Sequence, residues 1–373
     1  MKNLCFVVTD AISFNLLMKG QLEFLSSRGH RITLVCGGSK EQLKKLRSRN
    51  VGKVHYIPFS REVNLISDIK CLIKLWFFFI NNRFDSVIFS TPKALLLASI
   101  ATFFSSSRNR ICMFRGRAYE NFKGFKYRLF WMFDRLSIWL ASEVIFISKS
   151  LQDEYIEGGL IKSHKSLTVG QGSSNGIDLD GLYSNNFSDS VELIKKDINY
   201  NENDFIVVFL GRHCKDKGIE EWKRVINLTQ AKNVKFVSAG VIEDDCARKI
   251  VSSLDNSDNY YYVGHLDSVY SLLSIANIHL FLSHREGFGN VAIESAALGV
   301  VTLGFDIVGV RDSVSEVSGK LFEYLDVESI AKEICYLSQG DSLSREFDQD
   351  AMKQWVTDNF DQELVWEEYE KIY

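Results

Sequence analysis

Two glutamates, Glu286 and Glu294, stand eight positions apart in HREGFGNVAIESAALG, and Gly287, Phe288, Gly289 and Asn290 follow directly after the first. Carboxylates accept hydrogen bonds from adjacent hydroxyls, which suits a sugar ring or a ribose diol. The glycines let a ligand approach the backbone where no Cβ stands in the way. A second group, FLGRHCKDKGIEEW, sets Arg212 and Lys217 five apart between Gly211 and Gly218. Two such cations suit a diphosphate, because arginine binds its oxygens through a planar fork while lysine acts as a point charge. A diphosphate leaving group neutralised in this way needs no divalent metal.

Each segment alone also has a plainer reading. Glu294 can be a carboxylate that complements a helix dipole, and Arg212 and Lys217 can be surface charges. Position is what joins them. Apolar, β-branched runs alternate with helical patterns along the whole chain: NLCFVVT, RITLVCG, DSVIFS, RICMF and LTVG, then DFIVVFLG, VKFVSAG, YYYVGH, IHLFLS and VVTLGF. Such alternation implies parallel sheets, whose ligands gather at the carboxyl ends of the strands. Arg212 and Lys217 follow one strand, and Glu286 follows another, His279 to Ser283. A helix beginning near Asn290 would then aim unpaired N–H groups at electron-rich oxygens.

At 373 residues the chain is too long for one growing core, so two doubly wound domains are expected, over residues 1–185 and 186–373. The polar stretch Ser184 to Asp204 reads as the crossing between them. With 46% hydrophobic and 24% charged residues the chain is too apolar to be disordered. Its seven scattered cysteines form no CxxC pair and no metal-ligand spacing, which argues against a disulfide framework and a zinc site and fits a reducing cytoplasm. MKNLCFVVTDAISF reads as a buried strand entering a loop, not as a secretory signal. The apolar runs LWFFFI and ALLLASIATFF fall short of the ~18 residues of a membrane span.

Charge is divided unequally. From Met1 to Asp180 there are 26 Lys/Arg against 14 Asp/Glu, a balance of +12, and from Gly181 to Tyr373 there are 18 against 33, a balance of −15. The basic residues concentrate between Arg108 and Arg135, interleaved with aromatic rings. Cations with interfacial rings suit an anionic membrane surface, and the same pattern also describes a solvated helix whose aromatics are core. Nucleic acid is disfavoured by the acidic second half and the lack of a recognised reading module.

Taken jointly, Glu286 and Glu294 as E-x7-E, and Gly211, Arg212, Lys217 and Gly218 as G-R-x4-K-G, resemble the motifs of the retaining glycosyltransferases of family 4. The resemblance extends over nearly the whole chain, and in the first half it is to the branch that builds capsule and O-antigen units on a polyprenyl-diphosphate carrier. It implies the GT-B fold, two Rossmann-like α/β domains facing a cleft, with the last helix packing back on the first domain. It further implies a UDP-sugar donor, carrying N-acetylgalactosamine or galactose, no cofactor and no metal. Glu294 would take the ribose, Arg212 and Lys217 the diphosphate, and Glu286 the donor sugar beside the amides of Gly287 to Asn290. Gly264, His265 and Leu266 would contact the base, with Gly309 and Arg311 near the diphosphate. Lys93, Arg115 and Arg117 are the candidates for acceptor or carrier phosphate, in a protein peripheral to the inner face of the cell membrane. Two departures stand out: TDAISFN replaces the family's Gly-Gly loop after the first strand, and Arg115 occupies the place of a histidine. A GT-B nucleotide-sugar 2-epimerase and a non-catalytic sugar-nucleotide or anionic-lipid binding protein are the alternatives.

Overall fold

Near-continuous apolar runs make strands that are buried on both faces, and helices on both sides of a parallel sheet provide that burial. The computed structural model describes residues 1–60, 63–105, 107, 109–117, 119–120, 122–184, 187–255 and 257–373, and these fall into two compact units. Met1–Gly176 with Gln362–Tyr373 form the first, and Ile177–Asp361 the second. Arg108, at one end of the basic segment, and residues 185–186 lie outside the described residues.

The first unit is a seven-stranded parallel sheet of β1 (Asn3–Asp10), β2 (Arg31–Gly37), β3 (Lys53–Tyr56), β4 (Ser86–Ser90), β5 (Asn109–Phe114), β6 (Glu143–Phe146) and β7 (Ser166–Thr168), in the order β3-β2-β1-β4-β5-β6-β7. The second has six parallel strands, β8 (Phe205–Leu210), β9 (Val234–Ala239), β10 (Tyr260–Tyr262), β11 (Ile278–Phe281), β12 (Val301–Phe305) and β13 (Gly319–Phe322), in the order β10-β9-β8-β11-β12-β13. Both sheets are doubly wound. Strand order reverses at β1/β4 in one and at β8/β11 in the other, the places where such sheets open a crevice for ligands.

The structure differs from the sequence reading in four places. The segment after β1 is the helix Ala11–Leu17, not a loop, because the Asp10 side chain caps it by accepting the Ile12 N–H. The helical pattern that follows breaks at Gly20, whose φ of +81° suits glycine, before the helix Gln21–Ser27. Each sheet has strands beyond the five read for it from sequence, β3 and β6 in the first and β13 in the second. The polar stretch Ser184 to Asp204 lies within the second unit, where the helix Ser188–Asp197 sends Ile194 into the core beside Ile198. The chain passes between units at Gly176/Ile177 and returns at Asp361/Gln362. The last helix, Gln362–Ile372, packs in the first unit against Gln21–Ser27 and buries Trp366 and Tyr369.

Candidate functional site

The loops after β8 and β11, neighbours at the switch point of the second sheet, are fastened to each other. The Lys215–Lys217 turn presents the Asp216 carbonyl, which accepts the His284 N–H at 2.9 Å. The Asp216 carboxylate takes the Arg285 guanidinium at 2.8 Å, and Lys217 donates to the Glu286 carboxylate. Gly218, at φ +80°, closes the turn against β11: a Cβ there would lie 2.0 Å from the Leu282 carbonyl oxygen. Only glycine meets both requirements. A further latch holds the second loop from behind, where the His284 imidazole sits between the Tyr324 hydroxyl and the Glu221 carboxylate, 3.1 Å from the latter. The His284 contact is also the largest influence drawing the Glu221 carboxyl below its ordinary range, against the opposing effect of burial.

Lys217 and Glu286 thus meet across a cavity of about 210 Å³ that is also lined by Gly211, Phe288, Gly289 and Asn290. Gly289 precedes the helix Asn290–Ala297 and lies so close to Phe281 that a Cβ would stand 2.3 Å from its ring. The glycine thus leaves backbone exposed in part of a wall otherwise made of side chains such as Phe209, Phe281 and Phe288, with N–H groups of a helix start at its edge. Gly287 adjoins Gly309, whose added Cβ would meet the backbone of Glu286 and Gly287 at 2.8 Å.

Glu294 lies further along the same helix and does not line this cavity. It keeps some solvent access yet is enclosed by protein, and this desolvation pushes its carboxyl up to about 7. Among the described residues no hydrogen bond or ion pair engages it. Its neighbour is Tyr270, whose phenol is pushed well above its ordinary value by burial first, then by the Glu294 and Asp178 charges. An enclosed, unpartnered carboxylate costs free energy that an incoming pair of hydroxyls would recover. Tyr270 was not singled out from sequence, although it follows the YYYVGHL run by a few residues.

Other sequence candidates stand apart from that cavity. Arg212 is half exposed and bonded to Glu243 at 2.6 Å, a contact that raises its already high pKa. Arg311 is likewise exposed and paired with Asp306 at 2.7 Å. Beyond β10, Gly264 has φ +77°, His265 is exposed, and Leu266 packs on the core beside Tyr270 and Val291.

In the first unit, Lys93 is bonded to Asp68 at 2.8 Å and to Ser60 at 3.1 Å, so its charge is already matched. Arg117 pairs with Glu154 and lies over the Tyr119 and Tyr155 rings. Arg115 differs from both: its Nε and Nη1 are buried with no partner among the described residues, and burial lowers its pKa from the usual value, with the Tyr369 and Tyr373 hydroxyls opposing. In the basic segment some rings are core while Phe125, Met132 and Trp139 of the helix Gly124–Leu140 face solvent. No helix among the described residues is long and apolar enough to cross a membrane.

Residues 20–180 match the family model described as Glycosyltransferase Family 4, and residues 190–354 match that described as Glycosyl transferases group 1. The chain is 33% identical to the capsular polysaccharide biosynthesis glycosyltransferase CapM of Staphylococcus aureus, over 96% of this chain and 93% of that one. The chain belongs to glycosyltransferase family 4. A second relative is the N,N'-diacetylbacillosaminyl-diphospho-undecaprenol alpha-1,3-N-acetylgalactosaminyltransferase of Campylobacter jejuni, 23% identical over 64% of this chain and 62% of that protein. Among solved structures, Anabaena HepE in complex with UDP superposes with a TM-score of 0.79, at 15% identity, covering 99% of this chain and 98% of that one. The fold is GT-B and the protein is a glycosyltransferase.

Proposed function

We propose that this family-4 glycosyltransferase is a retaining enzyme that moves a sugar, N-acetylgalactosamine or galactose, from a UDP-sugar to a polyprenyl-diphosphate-linked saccharide during capsule or O-antigen assembly. The observation that carries the reading is the convergence of Lys217 and Glu286, from two separate motifs, on one cavity at the switch point of the second sheet. The names of the capsular and undecaprenol-diphosphate relatives support the pathway and the acceptor class, and the UDP-bound neighbour supports the donor.

In this reading the donor sugar lies against the amides of Gly287 to Asn290, with Glu286 accepting its hydroxyl hydrogen bonds. Lys217, released in part from Glu286, holds the diphosphate and stabilises charge as it departs. Arg212 joins it readily, since an exposed pair such as Arg212–Glu243 is worth only ~0–1 kcal/mol and a diphosphate outbids one carboxylate. Glu294 takes the ribose hydroxyls beside Tyr270. The leaving phosphate helps to take the acceptor proton from the same face, so configuration is retained without a separate protein base, and with no metal required. Arg115 and Arg117 serve the acceptor phosphates, and a basic first half brings the enzyme to the inner face of the cell membrane.

The test is a transfer assay with EDTA present, a panel of labelled UDP-sugars and a short polyprenyl-diphosphate-linked sugar. One donor is expected to yield a lipid-linked product of retained configuration, and Glu286→Gln to lower its kcat ~10²–10³-fold with an unchanged unfolding midpoint. Near-normal turnover in Glu286→Gln removes that residue from the reaction. Epimerisation of a UDP-sugar, or binding without transfer, overturns the proposal.

A further inference from the structure

The first unit has its own cavity at its own switch point, with a chemistry unlike the donor site's. It encloses about 570 Å³, within the ~300–1,000 Å³ range of small-molecule sites. Its floor is the ends of β1 and β4, where Thr9 and Thr91 hydrogen-bond to each other at 2.7 Å. Thr91 has φ +76°, a genuine outlier for a β-branched residue, and such strain gathers at ligand sites. Its walls come from three helices that pack in a row, Leu65–Asn81, Pro92–Phe103 and Gly124–Leu140, and are apolar: Ile69 and Leu72, Leu96 and Leu97, Phe130 and Phe133.

The charged groups that face this cavity are already engaged. Asp68 pairs with Lys93, Asp10 caps the helix after β1, and Asp134 accepts the Tyr155 hydroxyl at 2.6 Å. A saccharide would find few open partners there, and a diphosphate would meet three carboxylates and a single lysine, Lys93, that is already paired. Hydrocarbon loses nothing polar by entering.

The mouth of the cavity indicates where that hydrocarbon comes from. Leu65 and Ile69 line the cavity while being 75% and 55% exposed, so they form its rim. The exposed face continues along the same helix through Ile73 and Phe77, and Leu72 links the cavity to a second apolar groove beside Trp76 and Phe104. An exposed apolar face of this extent marks a contact surface. Lys70 and Lys74 on this helix, and Lys126, Arg128 and Arg135 on Gly124–Leu140, add positive charge for anionic headgroups.

We propose that this cavity binds the isoprenoid chain of the lipid-linked acceptor, drawn in over the exposed helix face from the bilayer while the diphosphate stays outside the rim. The proposal rests on the acceptor class proposed above and adds that the enzyme grips the lipid tail as well as the head.

The test is binding before transfer. The full chain is titrated with prenyl monophosphates of two, three and four isoprene units, with a straight-chain decyl phosphate as comparison. Affinity should rise at least about tenfold for each isoprene unit that enters, which needs only about a third of the gain expected from burying its five carbons completely. Leu96→Trp, which fills the cavity, should flatten that dependence while UDP affinity is unchanged; Ile69→Gln at the rim should weaken all prenyl ligands and serves if the tryptophan variant does not fold. Affinity independent of chain length overturns the proposal, and so does decyl phosphate binding as tightly as the two-unit prenyl phosphate. Length-dependent binding without transfer to any lipid-linked sugar leaves the cavity assignment intact and overturns the acceptor reading instead.

Discussion

Glu294 gives a prediction whose sign and size follow from its surroundings. Desolvation raises its carboxyl from 4.5 to about 7, so ionising it in the folded protein costs ~3 kcal/mol more than in the open chain, an upper bound because the residue keeps some solvent access. A folded-state pKa above the unfolded one contributes stability that is fully present below pH 4.5 and is lost as pH rises through about 7. Glu294→Gln removes this dependence, so its stability relative to wild type should improve between pH 5 and pH 8. Ligand binding should show the opposite trend. Ribose hydroxyls donate to the ionised carboxylate and hold it charged, so UDP binding expels a proton near neutral pH. If only the ionised form is competent, about a tenth of the protein can bind at pH 6 and about nine-tenths at pH 8, which makes binding about tenfold tighter at the higher pH. The terminal phosphate of UDP titrates in the same range. The informative quantity is therefore the difference between wild type and Glu294→Gln, measured by titration calorimetry at both pH values in two buffers of different ionisation enthalpy. Superimposable affinity profiles, with equal proton release, would refute the ribose assignment.

Two other substitutions separate structure from chemistry. Gly218→Ala places a Cβ 2.0 Å from the Leu282 carbonyl oxygen at φ +80°, so it should lower stability by ~1–3 kcal/mol in urea unfolding and weaken UDP binding by displacing Lys217; unchanged stability would show that the two loops are not held together there. Arg115→Met removes a buried guanidinium that has two unpartnered nitrogens, so stability should hold or rise by ~1–4 kcal/mol while transfer falls at unchanged UDP affinity; a marked loss of stability would mean that the cation is held by the fold rather than kept for a ligand.

The parallel sheets were legible because their strands are unbroken apolar runs such as LCFVV and FIVVFL, and the loops that carry Lys217 and Glu286 follow two of them. Two edge strands were not legible, although the edges β7 and β10 were. β3 is mostly exposed and β13 begins with glycine and lysine, so neither carries the buried signature. The helix after β1 depends on one cap at Asp10, which no periodicity announces. Side-chain partners were beyond the sequence altogether: Arg212 and Lys217 read alike as phosphate cations, yet one faces Glu243 on the surface and the other Glu286 inside a cavity. Likewise Glu286 and Glu294 read as a pair, but one is ion-paired and the other is enclosed beside Tyr270 with its proton affinity raised.

The unequal legibility of the two units follows from what each is proposed to recognise. A sugar nucleotide presents charges and hydroxyls at fixed separations, so its site needs particular residue types at particular spacings, and short loops after neighbouring strands record them in the sequence. A hydrocarbon chain asks only for volume, apolar walls and an entrance. Those come from three helices spread over 76 residues of chain, from Leu65 to Leu140, whose inward leucines and phenylalanines look like any core until the space between them is seen. What betrays that space is local and costly: a threonine at positive φ on its floor, and leucine and isoleucine left in solvent at its rim. Strain of the first kind gathers at ligand sites, and an exposed apolar face of this extent marks a contact surface.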